Sequence, residues 1–72
     1  MVEYPHYKLP ERLEALREKF NLSKSQLGAK LGLGNMTINR WETGEQIPSA
    51  LFVLILCEFF GCSAGYLIGL EN

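Results

Sequence analysis

Residues 22–44 read LSKSQLGAKLGLGNMTINRWETG, and the punctuation inside this stretch decides the fold. Ser23-Lys24-Ser25-Gln26 has the pattern of a reciprocal N-terminal cap, in which the Ser23 hydroxyl takes the third backbone N–H and the Gln26 side chain reaches back to the cap. A helix therefore starts there and runs through Leu27 to about Leu31, where Gly32 can supply the positive φ that ends it. Gly34 stands where the next N-cap is needed, an acceptable if not the best residue for it, and residues 35–42 form another short helix. On a wheel advancing about 100° per residue, Thr37, Ile38 and Trp41 fall on one side, with Asn35, Met36, Asn39, Arg40 and Thr43 on the opposite arc. The first side is suited to packing and the second to facing out.

Upstream, residues 1–9 hold Pro5, Tyr4 and Tyr7 and no helical period, so they read as an arm that is either loose or laid on the domain surface. A first helix opens at Pro10, where a missing N–H does no harm, and Glu11 follows in its first turn. Leu13, Leu16, Arg17 and Phe20 recur at helical spacing, with Arg17 at the edge of the apolar stripe, before Asn21-Leu22 breaks the pattern. Downstream, Thr43-Gly44-Glu45-Gln46 is loop, and Pro48-Ser49 opens a fourth helix over residues 49–60 that stops at Gly61. Ser63 caps a last short helix through Tyr66 and Leu67. Five short helices with no alternating strand pattern make an all-α domain over residues 10–70.

A chain of 72 residues holds one domain with a modest core, and 47% hydrophobic with 21% charged residues is globular composition. The net charge of −1 speaks against a polyanionic partner, but its distribution does not. Residues 1–20 balance four bases with four acids, residues 21–40 carry Lys24, Lys30 and Arg40 with no acid, and residues 41–72 carry four glutamates and no base. Three charges are also what an ordinary solvated face can hold. Cys57 and Cys62 lack a second pair for zinc spacing, and His6 stands far away, so they read as small buried hydrophobes and no metal or cofactor is expected. Residues 1–10 lack the apolar run of a secretory signal, so a reducing cytoplasm is the expected compartment. Residues 47–70 carry Glu58 as their one charge, a length that could nominally span a bilayer. Gly61-Cys62-Ser63 interrupts them as a helix stop and new cap, and no basic cluster flanks either end. Catalysis finds no phosphate-cradling glycine loop, no clustered His and Cys and no paired carboxylates, and no small-molecule substrate is implied.

An outward arc of Asn35, Asn39 and Arg40 suits base edges in a major groove, since Asn can pair with adenine and Arg with guanine at two points each. Without the surrounding pattern it reads rather as an ordinary polar surface. The whole stretch, however, resembles the helix-turn-helix of the Cro and phage-repressor (XRE-type) family of bacterial and viral regulators. Leu27, Gly32, Ile38, Trp41, Glu42 and Gly44 carry the resemblance, with Gly61, Pro48 and Leu67 in register, and it extends over about residues 13–68. It implies a lambda-repressor-like fold that binds double-stranded DNA as a transcriptional regulator, a repressor, with the third helix in the major groove. Asn35, Met36, Asn39 and Arg40 would then read bases, Met36 against a thymine methyl, while Ser23, Lys24, Gly34 and Thr43 would meet the DNA backbone. Gly34 departs from the usual Ser or Thr and loses one hydroxyl, and Gly28 replaces the usual Ala at the helix crossing. Arg17 and Glu42 would form a partly buried ion pair tying the reading helix to the first.

The fourth helix matches the family's core stripe with Ala50, Val53, Leu54, Cys57 and Phe60, yet Leu51, Phe52, Ile55 and Phe59 are apolar where the family is usually polar. Such a row on a small domain marks an interaction surface, and a homodimer on a palindromic operator is the expectation. The alternatives are that Tyr4 and Tyr7 of the arm fold over the row, or that the chain is a protein-binding module of the antitoxin or anti-repressor kind using the fourth helix.

Overall fold

Local chemistry at each boundary sets five helices in the computed structural model, which describes residues 6–71. They are α1 (Leu9–Lys19), α2 (Lys24–Leu31), α3 (Asn35–Thr43), α4 (Ala50–Phe60) and α5 (Ala64–Ile68), with no strand among the described residues. Helix α2 begins on the full reciprocal cap: Gln26 N donates to Ser23 Oγ at 3.0 Å, and Ser23 N donates to Gln26 Oε1 at 2.8 Å. Ser49 and Ser63 cap α4 and α5 with the hydroxyl half of that arrangement alone, accepting from Phe52 N and Tyr66 N at 3.3 and 3.0 Å. Gly32 and Gly44 close α2 and α3 at φ 74° and 81°, where a Cβ would be strained. Asn21 turns the chain out of α1 at φ 57°, a left-handed conformation that its short polar side chain tolerates.

Leu9, Leu13 and Leu16 of α1, Leu27 of α2, Ile38 and Trp41 of α3, Leu56, Cys57 and Phe60 of α4 and Leu67 of α5 form one core. Leu9 is fully buried, so α1 starts one residue ahead of the expected Pro10 and Leu9 belongs to the domain rather than to the arm. Phe20, expected in the stripe of α1, is 44% exposed at its C-cap and lies edge-on to Phe60 at 5.0 Å. The thiols are free, Cys57 buried and Cys62 half-buried; burial, then the neighbouring Cys62, pushes the Cys57 thiol up to about 11.

Helix α4 corrects the sequence reading. Ala50 and Leu54, assigned to the core, are exposed, whereas Leu56, assigned to neither face, is fully buried. Phe52 and Phe59, assigned to an outward row, pack against the core: the Phe52 ring is 5.5 Å from Trp41 and the Phe59 ring 5.0 Å from Phe60. Nearly every position of this helix is apolar, so periodicity could not choose the face. The large side chains at 52, 56, 59 and 60, neighbours at spacings of three and four, take the core because they bury the most surface. Of the expected row, Leu51 stays exposed and Ile55 is half-buried.

The arm takes the second of its two expected placements, laid on the domain surface. Its described part, His6 to Lys8, lies on the end of α5, with Lys8 N donating to Ile68 O at 2.9 Å. Gly69, at φ 112°, lets the His6 carbonyl approach to 2.1 Å from where a Cβ would stand. Arg12 fastens this end by donating to the carbonyls of Tyr66 and Glu71 while its guanidinium lies over the Tyr66 ring at 4.4 Å. Tyr4, the other proposed cover for α4, is outside the described residues.

Candidate nucleic-acid interface

Helix α3 is held by its inner side. Ile38 and Trp41 are buried, and Thr37 is half-buried beside them. Arg17 of α1 reaches across in a two-point fork, Nε to Glu42 Oε2 at 2.7 Å and Nη2 to Glu42 Oε1 at 3.1 Å, and spends Nη1 on the carbonyl of Leu22 at 2.9 Å. The side chains are 11% and 2% exposed. Hydrogen bonding to Glu42 raises the Arg17 pKa against the opposing effect of burial, with the charges of Glu42, Glu18 and Glu14 adding to it. This pair sets both the rotation of α3 and the end of α1 from which the α1–α2 turn departs.

The turn between α2 and α3 is equally constrained. Leu33 N donates to Gly28 O at 2.7 Å, and the Leu33 carbonyl lies 2.6 Å from the position a Cβ of residue 28 would take. The departure from Ala at residue 28 thus has a physical basis here: the turn folds directly onto this glycine, and α3 is presented at a fixed angle.

With its inner side so engaged, α3 turns the other side out. Asn35 and Arg40 are exposed, Met36 is 54% exposed, and Thr43 is exposed at the C-terminal end with its hydroxyl on the Arg40 carbonyl at 3.3 Å. Asn39 is half-buried on the same arc because Lys24 Nζ donates to its Oδ1 at 2.7 Å. Arg40 has a loose companion in Glu45, 3.7 Å away, with both side chains largely in solvent. Ser23 and Gly34 are exposed at the N-caps of α2 and α3. The structure therefore brings Asn35, Met36, Asn39 and Arg40 onto one face next to Lys24, and leaves Leu51 and Ile55 on α4. The Lys24–Asn39 bond, the Arg40–Glu45 approach and the Arg12 clamp were missed from sequence; each reaches beyond the helix it starts from, to another element or a loop, and a helical wheel reports only which side a residue faces. Among the described residues no cluster of His, Cys, Asp and Glu could hold a metal ion, and no helix is long and apolar enough to cross a membrane.

Two short helices joined by a glycine turn, the second held face-out by a partly buried ion pair, define a helix-turn-helix domain. The helix-turn-helix family model matches residues 13–67, and the chain belongs to that family, as the resemblance read from the sequence implied. It is 34% identical over 58 residues to the repressor protein C2 of Salmonella phage P22, a match that covers 81% of this chain but only 27% of that repressor. An uncharacterized helix-turn-helix-type transcriptional regulator of Bacillus subtilis is 29% identical over 64 residues, with 89% of this chain and 97% of that protein covered. Among solved structures, the P22 c2 repressor in complex with a synthetic operator superposes with a TM-score of 0.80 at 32% identity, covering 88% of this chain and 96% of that one. The solution structure of the P22 c2 repressor's DNA-binding domain gives a TM-score of 0.77 at 29% identity, with 96% of each chain covered.

Proposed function

We propose that this chain is a transcriptional regulator, a repressor, that binds double-stranded DNA sequence-specifically with α3 in the major groove. The observation that carries the reading is the exposed face of Asn35, Met36 and Arg40 on a helix whose opposite side is locked by Ile38, Trp41 and the Arg17–Glu42 pair. Rigid presentation of a few side chains is what base readout requires, because each bidentate contact discriminates only when its donor and acceptor arrive in register. The P22 relative solved with an operator supports the same assignment. Arg40 reads guanine, Asn35 reads adenine and Met36 meets a thymine methyl. Ser23, the Gly34 backbone and Thr43 contact phosphate and sugar, with Lys24 supplying positive charge beside them. The chain acts as a homodimer on a palindromic site through the exposed side of α4, works in the cytoplasm, and is a binding domain rather than a catalyst.

The test is a gel shift on random genomic fragments over a salt series. A subset of fragments should be retarded, with affinity falling steeply as salt rises. If no fragment is retarded even at low salt, the DNA-binding reading fails.

A further inference from the structure

We propose that Lys24 and Asn39 form one composite donor head that selects guanine over adenine at a single base pair. The inference rests on the DNA-binding reading above and names what this part of the face recognises. Lys24 is the first residue of α2 and Asn39 lies midway along α3, and the bond from Nζ to Oδ1 at 2.7 Å ties them across the turn. Chemistry fixes which amide atom faces the lysine. An ammonium carries three donors and no acceptor, so only the oxygen can meet it, and the Asn39 amino group points away.

A free asparagine recognises adenine by accepting from its N6 amino group while donating to N7. Here the accepting oxygen is already beside a positive charge, and an adenine amino group approaching it would bring its own donor hydrogens against the ammonium. What the pair offers outward is the two amide hydrogens together with the remaining ammonium hydrogens, all of them donors. Guanine presents two neighbouring acceptors, O6 and N7, in the major groove, whereas adenine presents one acceptor and one donor there. Glu42 is paired with Arg17 and Glu45 lies by Arg40, and among the described residues no carboxylate is ion-paired with the Lys24 ammonium to draw it away from Asn39. Lys24 thus reads sequence through Asn39 as well as adding charge at the backbone.

Enrichment of bound duplexes from a randomised pool tests this, using the full chain, Lys24→Met, which keeps the stem, and Asn39→Ala. The unmodified chain should prefer guanine to adenine by about tenfold or more at one position. Lys24→Met should reduce that ratio by about tenfold at the same position and nowhere else, because the freed oxygen can then accept from adenine, and Asn39→Ala should flatten that position too. Lys24→Leu, which likewise has no donor for the Asn39 oxygen, repeats the test should the methionine variant not fold. Uniform weakening by Lys24→Met with every base preference intact would overturn the proposal, and so would changes at different positions in the two variants. Either result makes Lys24 a phosphate contact and leaves the DNA-binding reading standing. No enrichment by the unmodified chain removes that reading and the inference together.

Discussion

Glu42→Gln keeps the shape of the side chain and removes the charge that faces Arg17, a residue with only 11% of its side chain exposed. A guanidinium stranded in that setting should lower unfolding free energy by about 3 kcal/mol, a large part of what a domain of this size possesses. Urea denaturation measures it, and a loss below about 0.5 kcal/mol would mean that the pair behaves as a solvated one. The double variant Arg17→Met with Glu42→Leu should recover most of the loss, since no buried charge then remains. Tyr7 makes the opposite case. Its hydroxyl is buried with no partner among the described residues, and burial raises its pKa from 10.0. Tyr7→Phe should therefore leave stability unchanged or raise it by up to about 1 kcal/mol. A phenol whose folded pKa lies above its unfolded value favours the fold fully below pH 10.0 and loses that contribution as pH rises past it. The variant's advantage over the parent should accordingly widen above that pH. A Tyr7→Phe chain that melts several degrees lower would indicate that the hydroxyl has a partner.

At the scale of the elements, the caps were legible because capping is local: a serine three residues before a glutamine, or a glycine after the last apolar position, carries its own geometry. Helices α2 and α3 fall within a residue of their expected bounds for that reason. The rotation of α4 was illegible because it depends on which of many apolar residues wins the core, a question of volume and not of period. The Lys24–Asn39 bond was illegible because it joins two elements whose mutual angle is set by the turn over Gly28. The exposed end of α3 carries a prediction of its own. Glu45 holds an acid 3.7 Å from Arg40 at the face proposed to meet DNA. Both side chains are well solvated, so the pair adds little to the fold, but its acid repels phosphate. Glu45→Gln should raise DNA affinity severalfold with unchanged thermal stability, while Arg40→Ala should weaken the preferred sequence by about 1–3 kcal/mol and other sequences much less. Equal losses on all sequences after Arg40→Ala would make that residue a phosphate contact.

For the whole molecule, the question is how a chain of net charge −1 would hold the polyanion proposed for it, and pairing of two chains is one answer that can be tested. Packing of Phe52 and Phe59 into the core moves the outward side of α4 to another row. Leu51 and Leu54 are 64% and 59% exposed and, with Glu58, follow one another along α4 at spacings of three and four, while Ile47 in the preceding loop is also 64% exposed. Exposed large aliphatic side chains on one helix and the loop before it, on so small a domain, are apolar surface of the kind that marks an interface. A second copy suits the row chemically. In an antiparallel, self-complementary contact the Glu58 carboxylate of each chain would approach the N-terminal turn of the other's α4, where the helix dipole favours a negative charge. Pairing would also set two α3 helices against half-sites about 34 Å apart and double the base contacts without adding a single lysine. Sedimentation at micromolar concentration should therefore find a dimer, or a monomer that pairs on a palindromic duplex and binds it far more tightly than a half-site. Leu54→Lys should abolish the pairing and the preference for the palindrome while leaving the melting transition in place. A chain that stays monomeric, and that binds palindrome and half-site with equal affinity per site, would rule out this face as a dimer contact.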